Sequence, residues 1–308
     1  MDRGRGVIER ARELLRRGAL DLPLPGAGAT PERLERLFEV ARADVALARI
    51  VEAHCDAVAI LAEAGEAPAP GALYGVWASE GRGARVRLGP DSRVSGAKRF
   101  CSGGLALDRA LVTAWRGEEA WLVEVSLDGA SVRAAPADWA TPAFASTETR
   151  TVRFERHPAR PVGGPGFYLS RPGFWHGALA PAACWAGGAR GIVDAAGRRT
   201  RDTAHALAHR GALEACAYAC RAVLERAARE CDAAPADARA AEVRALAVRQ
   251  VVERQVTTLL DRAGRLLGPG PLAFDADLAR RVAEVGLYVR QHHAERDLER
   301  LGRLLTVV

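Results

Sequence analysis

The hydrophobic period of this chain changes twice, and that change limits what it can fold into. From Thr30 to Ala64 the apolar residues recur at helical spacing: Leu34, Leu37, Val40, Val45, Val51, Val58 and Leu61. Thr30-Pro31 reads as an N-cap followed by a proline in the first turn. A shorter helical run, Val7 to Leu15, precedes it behind the Pro/Gly break at 21–28. Between Leu73 and Phe154 the pattern becomes short alternating runs at 74–79, 84–88, 110–114, 120–125 and 151–154, separated by Gly, Pro, Asp and Ser. That is the signature of an antiparallel β domain, and the absence of intervening helices disfavours a βαβ arrangement. Helical spacing then returns over 175–196, 202–231, 238–267 and 274–304, which reads as an antiparallel four-helix bundle. The Gly187-Gly188 pair in the first of these helices suits either close helix approach or a weakened helix.

The expected fold is therefore α+β and multi-domain. N-terminal helices occupy 1–70, a central antiparallel β domain 71–165, and a C-terminal helical bundle 166–308. The length of 308 residues and the 49% hydrophobic and 27% charged fractions suit such a globular chain.

Charge and cysteine usage exclude several function classes. The formal charge is +6, but Lys98 is the only lysine among 44 basic residues, and the arginines alternate with Asp, Glu and Ala along helical faces. No basic stripe with interleaved aromatics occurs, so a nucleic-acid partner is not expected. No apolar run is long enough to span a bilayer, and the N-terminus lacks a secretory h-region, so the expected location is cytoplasmic. The six cysteines form no C-x-x-C pair. Cys216 and Cys220, four apart, share a helix face as small buried residues, and no metal site is expected. His205 and His209 have the same spacing without a third ligand.

The order of elements, with the residues at their joints, resembles the acyl-CoA dehydrogenase family of flavoproteins, in a divergent bacterial form. In the β domain, Ser95-Gly96-Ala97-Lys98-Arg99-Phe100-Cys101-Ser102 is similar to the family's G-x-K-x-(aromatic)-x-(Ser/Thr) stretch. Ala180 to Ala189 is similar to its first bundle helix, and Tyr288 to Leu298 to its last. The resemblance implies FAD held between the β domain and the bundle, with Phe100, Cys101 and Ser102 along the flavin ring. Read without it, the same tripeptide is a hairpin with a Phe and a turn Ser. Trp77-Ala78-Ser79-Glu80-Gly81-Arg82-Gly83 stands where the family has Thr-Glu-Pro-x-x-Gly-Ser-Asp, so Trp77 and Ser79 become cofactor candidates while the Gly-Ser-Asp is missing. Arg82 or Arg85 is a candidate to compensate electrostatically. Leu267-Gly268-Pro269-Gly270 takes the place of the family's glycine loop, which makes Gly268 and Gly270 candidates for the cofactor's ADP half. A plain helix break explains the same residues equally well.

The family's catalytic carboxylate takes a proton from the substrate's α-carbon while a hydride leaves for the flavin. Counting on from Leu267-Gly268 places that position at Gln291 or His292, where no carboxylate stands. His292 is the first candidate base, followed by His293 and Glu295. Glu225, Glu230, Glu242 and Glu253 are further carboxylates on the bundle. The main reading is an FAD-dependent oxidoreductase that desaturates an acyl thioester and passes electrons to an external acceptor. The alternatives are a flavin-dependent monooxygenase served by a separate flavin reductase, or a non-catalytic binding subunit. A homodimer or homotetramer is implied by the resemblance.

Overall fold

The computed structural model describes residues 6–81, 85–136 and 139–306. Its contacts gather into two units: residues 1–22 with 49–174, and residues 23–48 with 175–308.

The first unit contains α1 (Val7–Arg16), most of α3 (Val45–Glu63), eight strands and α4 (Phe167–Ser170). The strands are β1 (Tyr74–Trp77), β2 (Val86–Leu88), β3 (Arg93–Cys101), β4 (Arg109–Arg116), β5 (Glu119–Ser126), β6 (Val132–Ala134), β7 (Arg150–Pro158) and β8 (Arg160–Val162). They form one sheet in the order β6-β7-β3-β2-β4-β5-β8, with β1 also paired to β4. The sheet is mixed, not antiparallel as the alternation suggested. β1 runs parallel to β4 (Tyr74 opposite Arg109), and β2 meets β4 in parallel at Arg87 and Trp115. Side chains alternate in the same way in either strand direction, so the pattern carries no record of it. β1 and β2 lie along the same strand, β4, and the chain at 78–80 leaves the β1–β4 ladder after Trp77. The core joins Ala57, Ile60 and Leu61 of α3 to Tyr74, Leu111, Leu122 and Val162 of the sheet, all 0% exposed. Burying each larger aliphatic side chain contributes roughly 1.5–3 kcal/mol.

The second unit holds α2 (Thr30–Ala43), α6 (Leu179–Gly197), α7 (Ala204–Ala233), α8 (Ala238–Leu267), α9 (Pro269–Phe274), α10 (Ala276–Tyr288) and α11 (Glu295–Thr306). The division between units falls within α3 and within α5 (Gly173–Gly177). α6 is buried almost all round, as its apolar, Ala-rich sequence demands, and it packs against α2, α7, α8 and α10. Its glycine pair serves close approach. A Cβ on Gly187 would stand 2.1 Å from the Phe38 carbonyl oxygen, and one on Gly188 would stand 2.8 Å from Val285.

Three local starts and stops differ from the periodicity. The run from Thr30 to Ala64 is interrupted at Asp44, which adopts extended backbone and accepts the Leu47 N–H at 3.1 Å, capping α3. Thr30 does not cap α2 with its own hydroxyl. Its N–H and O–H both go to the Asp232 carboxylate of α7, at 2.9 and 2.6 Å. The final helix is not continuous either: α10 ends in a 3-10 turn at Val289–Gln291, and α11 starts only at Glu295.

Candidate functional site

In the first unit the chemistry gathers where β3 ends. The β3–β7 register shifts between Lys98 and Cys101, so one residue is extra, and it is Phe100. Its φ is +56°, its side chain is turned out with 54% exposed, and its ring meets Trp139 edge to face. Cys101 returns to the interior with its thiol on the Lys98 carbonyl at 3.2 Å. Ser102 is nearly buried, and its carbonyl accepts the indole N–H of buried Trp77 at 3.2 Å. Gly103, at φ +85°, donates to the Thr147 carbonyl at 2.8 Å, and a Cβ there would stand 2.4 Å from Leu107.

The facing segment, 139–149, holds functional candidates that the sequence reading missed. The Trp139 indole is fixed on the Ala143 carbonyl at 2.7 Å. Phe144 and Glu148 both have positive φ, at 59° and 50°. Between and beside them run the hydroxyls of Thr147 and Thr149, 2.7 Å apart, with the Thr149 oxygen 3.4 Å from that of Ser102. Each non-glycine residue held in the left-handed region costs on the order of 1–3 kcal/mol, and such costs collect where a site imposes them. Three of them, Phe100, Phe144 and Glu148, surround this place. The one signal in the sequence is the polar alternation Thr147, Thr149, Thr151 beside Trp139.

Ser79 and Glu80 are exposed on the excursion between β1 and β2, where Glu80 pairs with Lys98 at 2.6 Å. Arg85 stacks on Trp115 with its guanidinium 3.9 Å from the ring centre. Arg82 and Gly83 lie outside the described residues. An outward aromatic face, a hydroxyl edge and tightly held backbone suit a flat heterocycle with a polar rim. The residues therefore fit the ring of a flavin.

In the second unit, His292 lies in the break between α10 and α11, with its side chain 1% exposed. Its Nδ1 accepts the Ala294 N–H at 3.0 Å, so the neutral ring carries its proton on Nε2. Among the described residues that Nε2 has no hydrogen-bond partner, and the Asp297 carboxylate is 3.8 Å away. Burial pushes the His292 pKa below the ordinary histidine value, and Asp297 opposes the shift. The lowered pKa favours the neutral ring, whose N–H is then at Nε2. His293 is exposed, as is Glu295 at the first turn of α11. The Asp297 carboxylate accepts the His293 backbone N–H at 3.1 Å, which starts α11 and stops the helix before it. Gly268 closes α8 at φ +66°, and Pro269 and Gly270 open α9. The bundle carboxylates are engaged: Glu225 and Glu230 with arginines of their own helix, Glu242 with Arg300, and Glu253 with Arg290. The six cysteines are buried and none forms a disulfide, and no group of metal-ligating side chains occurs among the described residues.

No family model matches the chain, and no curated protein matches it. Solved structures do match. TdsC from Paenibacillus sp. A11-2, solved with FMN and indole, aligns with a TM-score of 0.80 at 19% identity over 97% of this chain and 93% of its own. The chain has an acyl-CoA dehydrogenase-type fold. Nitrososynthase from Micromonospora carbonacea var. africana aligns with a TM-score of 0.82 at 18% identity, over 98% and 90%. Methanesulfinate monooxygenase MsuC from Pseudomonas fluorescens aligns at 0.78 and 19% identity, over 97% and 92%. At these identities the likeness fixes the fold, which extends through both units. Among the described residues no helix is long and apolar enough to cross a membrane.

Proposed function

We propose that the chain is a flavin-dependent monooxygenase acting on a small organic molecule, with reduced flavin delivered by a separate reductase. The observation that carries the reading is the Phe100–Ser102 bulge, an outward aromatic ring and a hydroxyl held against a strained Thr147–Thr149 segment. Proteins of similar fold support it, among them the dibenzothiophene monooxygenase TdsC, solved with FMN, and the methanesulfinate monooxygenase MsuC. Desaturation of an acyl thioester, the first expectation from sequence, has less support. The position counted for its carboxylate base holds Gln291 and His292, and His292 presents a proton instead of a lone pair.

FMN fits better than the FAD expected from sequence. The Gly-Ser-Asp that the resemblance ties to a pyrophosphate is missing after Glu80, and Pro269 interrupts the glycine pair at 268–270. Bound flavin supplies the activation of oxygen. Phe100 and Trp139 form an apolar wall for the ring, and Ser102 offers a hydroxyl at its polar edge. His292, buried and with its pKa lowered by that burial, offers its Nε2–H as a hydrogen-bond donor. The long helices of the second unit are proposed to pair copies of the chain as a dimer or tetramer, which light scattering resolves.

The test is turnover with FMN, an NADH-dependent flavin reductase, oxygen and a panel of small sulfur and nitrogen heterocycles. A product that has gained one oxygen atom supports the reading. Anaerobic bleaching of bound flavin by an acyl thioester, with no oxygenated product, overturns it in favour of dehydrogenation.

A further inference from the structure

Lys98 is the one lysine in a chain that otherwise uses arginine for every basic position. The ammonium is 0% exposed and donates to Glu80 Oε1 at 2.6 Å, to Thr113 Oγ1 at 2.6 Å and to the Thr113 carbonyl at 3.3 Å. Three protons meet three acceptors around one nitrogen, which a planar, bulkier guanidinium cannot reproduce. The Thr113 hydroxyl donates a hydrogen bond to the same Glu80 oxygen at 2.8 Å, closing a triangle.

The triangle stands in a gap of the sheet. β1 pairs with β4 as far as Val112, and β2 rejoins β4 only at Trp115. Thr113 lies between, opposite the excursion that begins at Ala78 and carries Ser79 and Glu80. Lys98 reaches across this gap from β3, two residues before the Phe100 bulge. One ammonium therefore ties the excursion, β4 and the base of the bulge together. Glu80 is 42% exposed on its side chain and would otherwise sample solvent freely.

We infer that Lys98 is a positioning residue for the flavin site, fixing Ser79 and the Phe100–Ser102 segment in one arrangement through Glu80 and Thr113. This rests on the flavin reading above. Lys98→Met removes one partner of the pair, which is costly where the charge left behind is buried. Glu80, 42% exposed, stays within reach of water, and the thermal midpoint is read beside binding to separate folding from positioning.

The experiment measures the FMN dissociation constant and the visible circular dichroism of bound FMN for the wild type, Lys98→Met, Lys98→Arg and Glu80→Gln, with Ser102→Ala for reference. Lys98→Met and Lys98→Arg are expected to weaken FMN at least tenfold and to change the dichroism of what still binds. Glu80→Gln should weaken it about threefold. A role confined to folding would lower the thermal midpoint and leave the dichroism of the bound fraction unchanged, which overturns the inference. Wild-type affinity and dichroism in Glu80→Gln, whose half-exposed side chain is safe to change, overturn it even where the Lys98 variants fail to fold. If Ser102→Ala weakens binding while both Lys98 variants match the wild type, the inference alone falls. If the wild type binds no FMN, it falls together with the flavin reading.

Discussion

The ring of Phe100 meets that of Trp139 edge to face, with centroids 6.1 Å apart and planes at 89°. The two residues come from different segments, one from a β-bulge and one from a loop pinned by its own indole N–H. The arrangement holds Phe100 outward against the hydrophobic preference to bury it, at the additional cost of a positive φ. Phe100→Ala should weaken FMN binding about tenfold, roughly 1.4 kcal/mol, and Trp139→Ala by a smaller factor. Fluorescence titration reads both. Unfolding free energy should change by no more than about 0.5 kcal/mol for Phe100→Ala, because the side chain is exposed.

His292→Asn tests the proton on Nε2. Asparagine keeps an acceptor for the Ala294 N–H, so the turn between α10 and α11 should persist. Turnover should fall on the order of 10²-fold, the scale of a lost hydrogen-bond donor to developing negative charge, while FMN affinity stays within about twofold. An unchanged rate at saturating substrate would remove His292 from the reaction.

His54 makes stability depend on pH in a defined direction. It lies on α3, where its Nδ1 accepts the Tyr74 N–H at 3.2 Å, and burial pushes its pKa down to about 4 from 6.5. The unfolded chain therefore binds this proton at a higher pH than the folded one does. Stability from the neutral ring is complete above pH 6.5 and is lost as pH falls toward 4, by about 3 kcal/mol in all. Urea unfolding at pH 7 and pH 4.5 should show the loss in the wild type and a smaller one in His54→Asn. An equal loss in both would show that other groups carry the acid sensitivity.

Asp232 holds the start of a helix distant in sequence. Its carboxylate accepts the N–H of Gly28 at 3.0 Å and both the N–H and O–H of Thr30. Asp232→Ala leaves those donors without a partner and should cost about 2 kcal/mol. Thermal unfolding checks it, with Thr30→Val expected to cost less because the backbone bonds remain.

The sequence made the helices legible because their apolar residues keep a helical period that only core packing explains. It singled out Phe100 and Ser102 as candidates through a resemblance, and gave no sign of the neighbours Trp139, Thr147 and Thr149. Trp139 meets Phe100 and Thr149 reaches Ser102 from a segment with positive φ at Phe144 and Glu148, residues whose types give no sign of it. The break at 292–294 was hidden for a similar reason. The stop comes from a capping bond between Asp297 and the His293 N–H, together with Ala294 at φ +49°, and neither glycine nor proline marks the place. The parallel pairing of β1 and β2 with β4 left no trace because alternation is blind to direction. Yet that pairing creates the gap which Lys98 fills, so the most unusual residue in the composition acquires its meaning only from the sheet.

The central claim is that the segment around Phe100 and Ser102 receives a flavin ring. Titration of the purified protein with FMN, followed by flavin fluorescence and visible absorbance, tests it most directly. The account predicts saturable binding with a shifted, structured visible band, weakened about tenfold in the Phe100→Ala, Ser102→Ala double variant. Absence of binding by the wild type, or equal binding by the double variant, would contradict it.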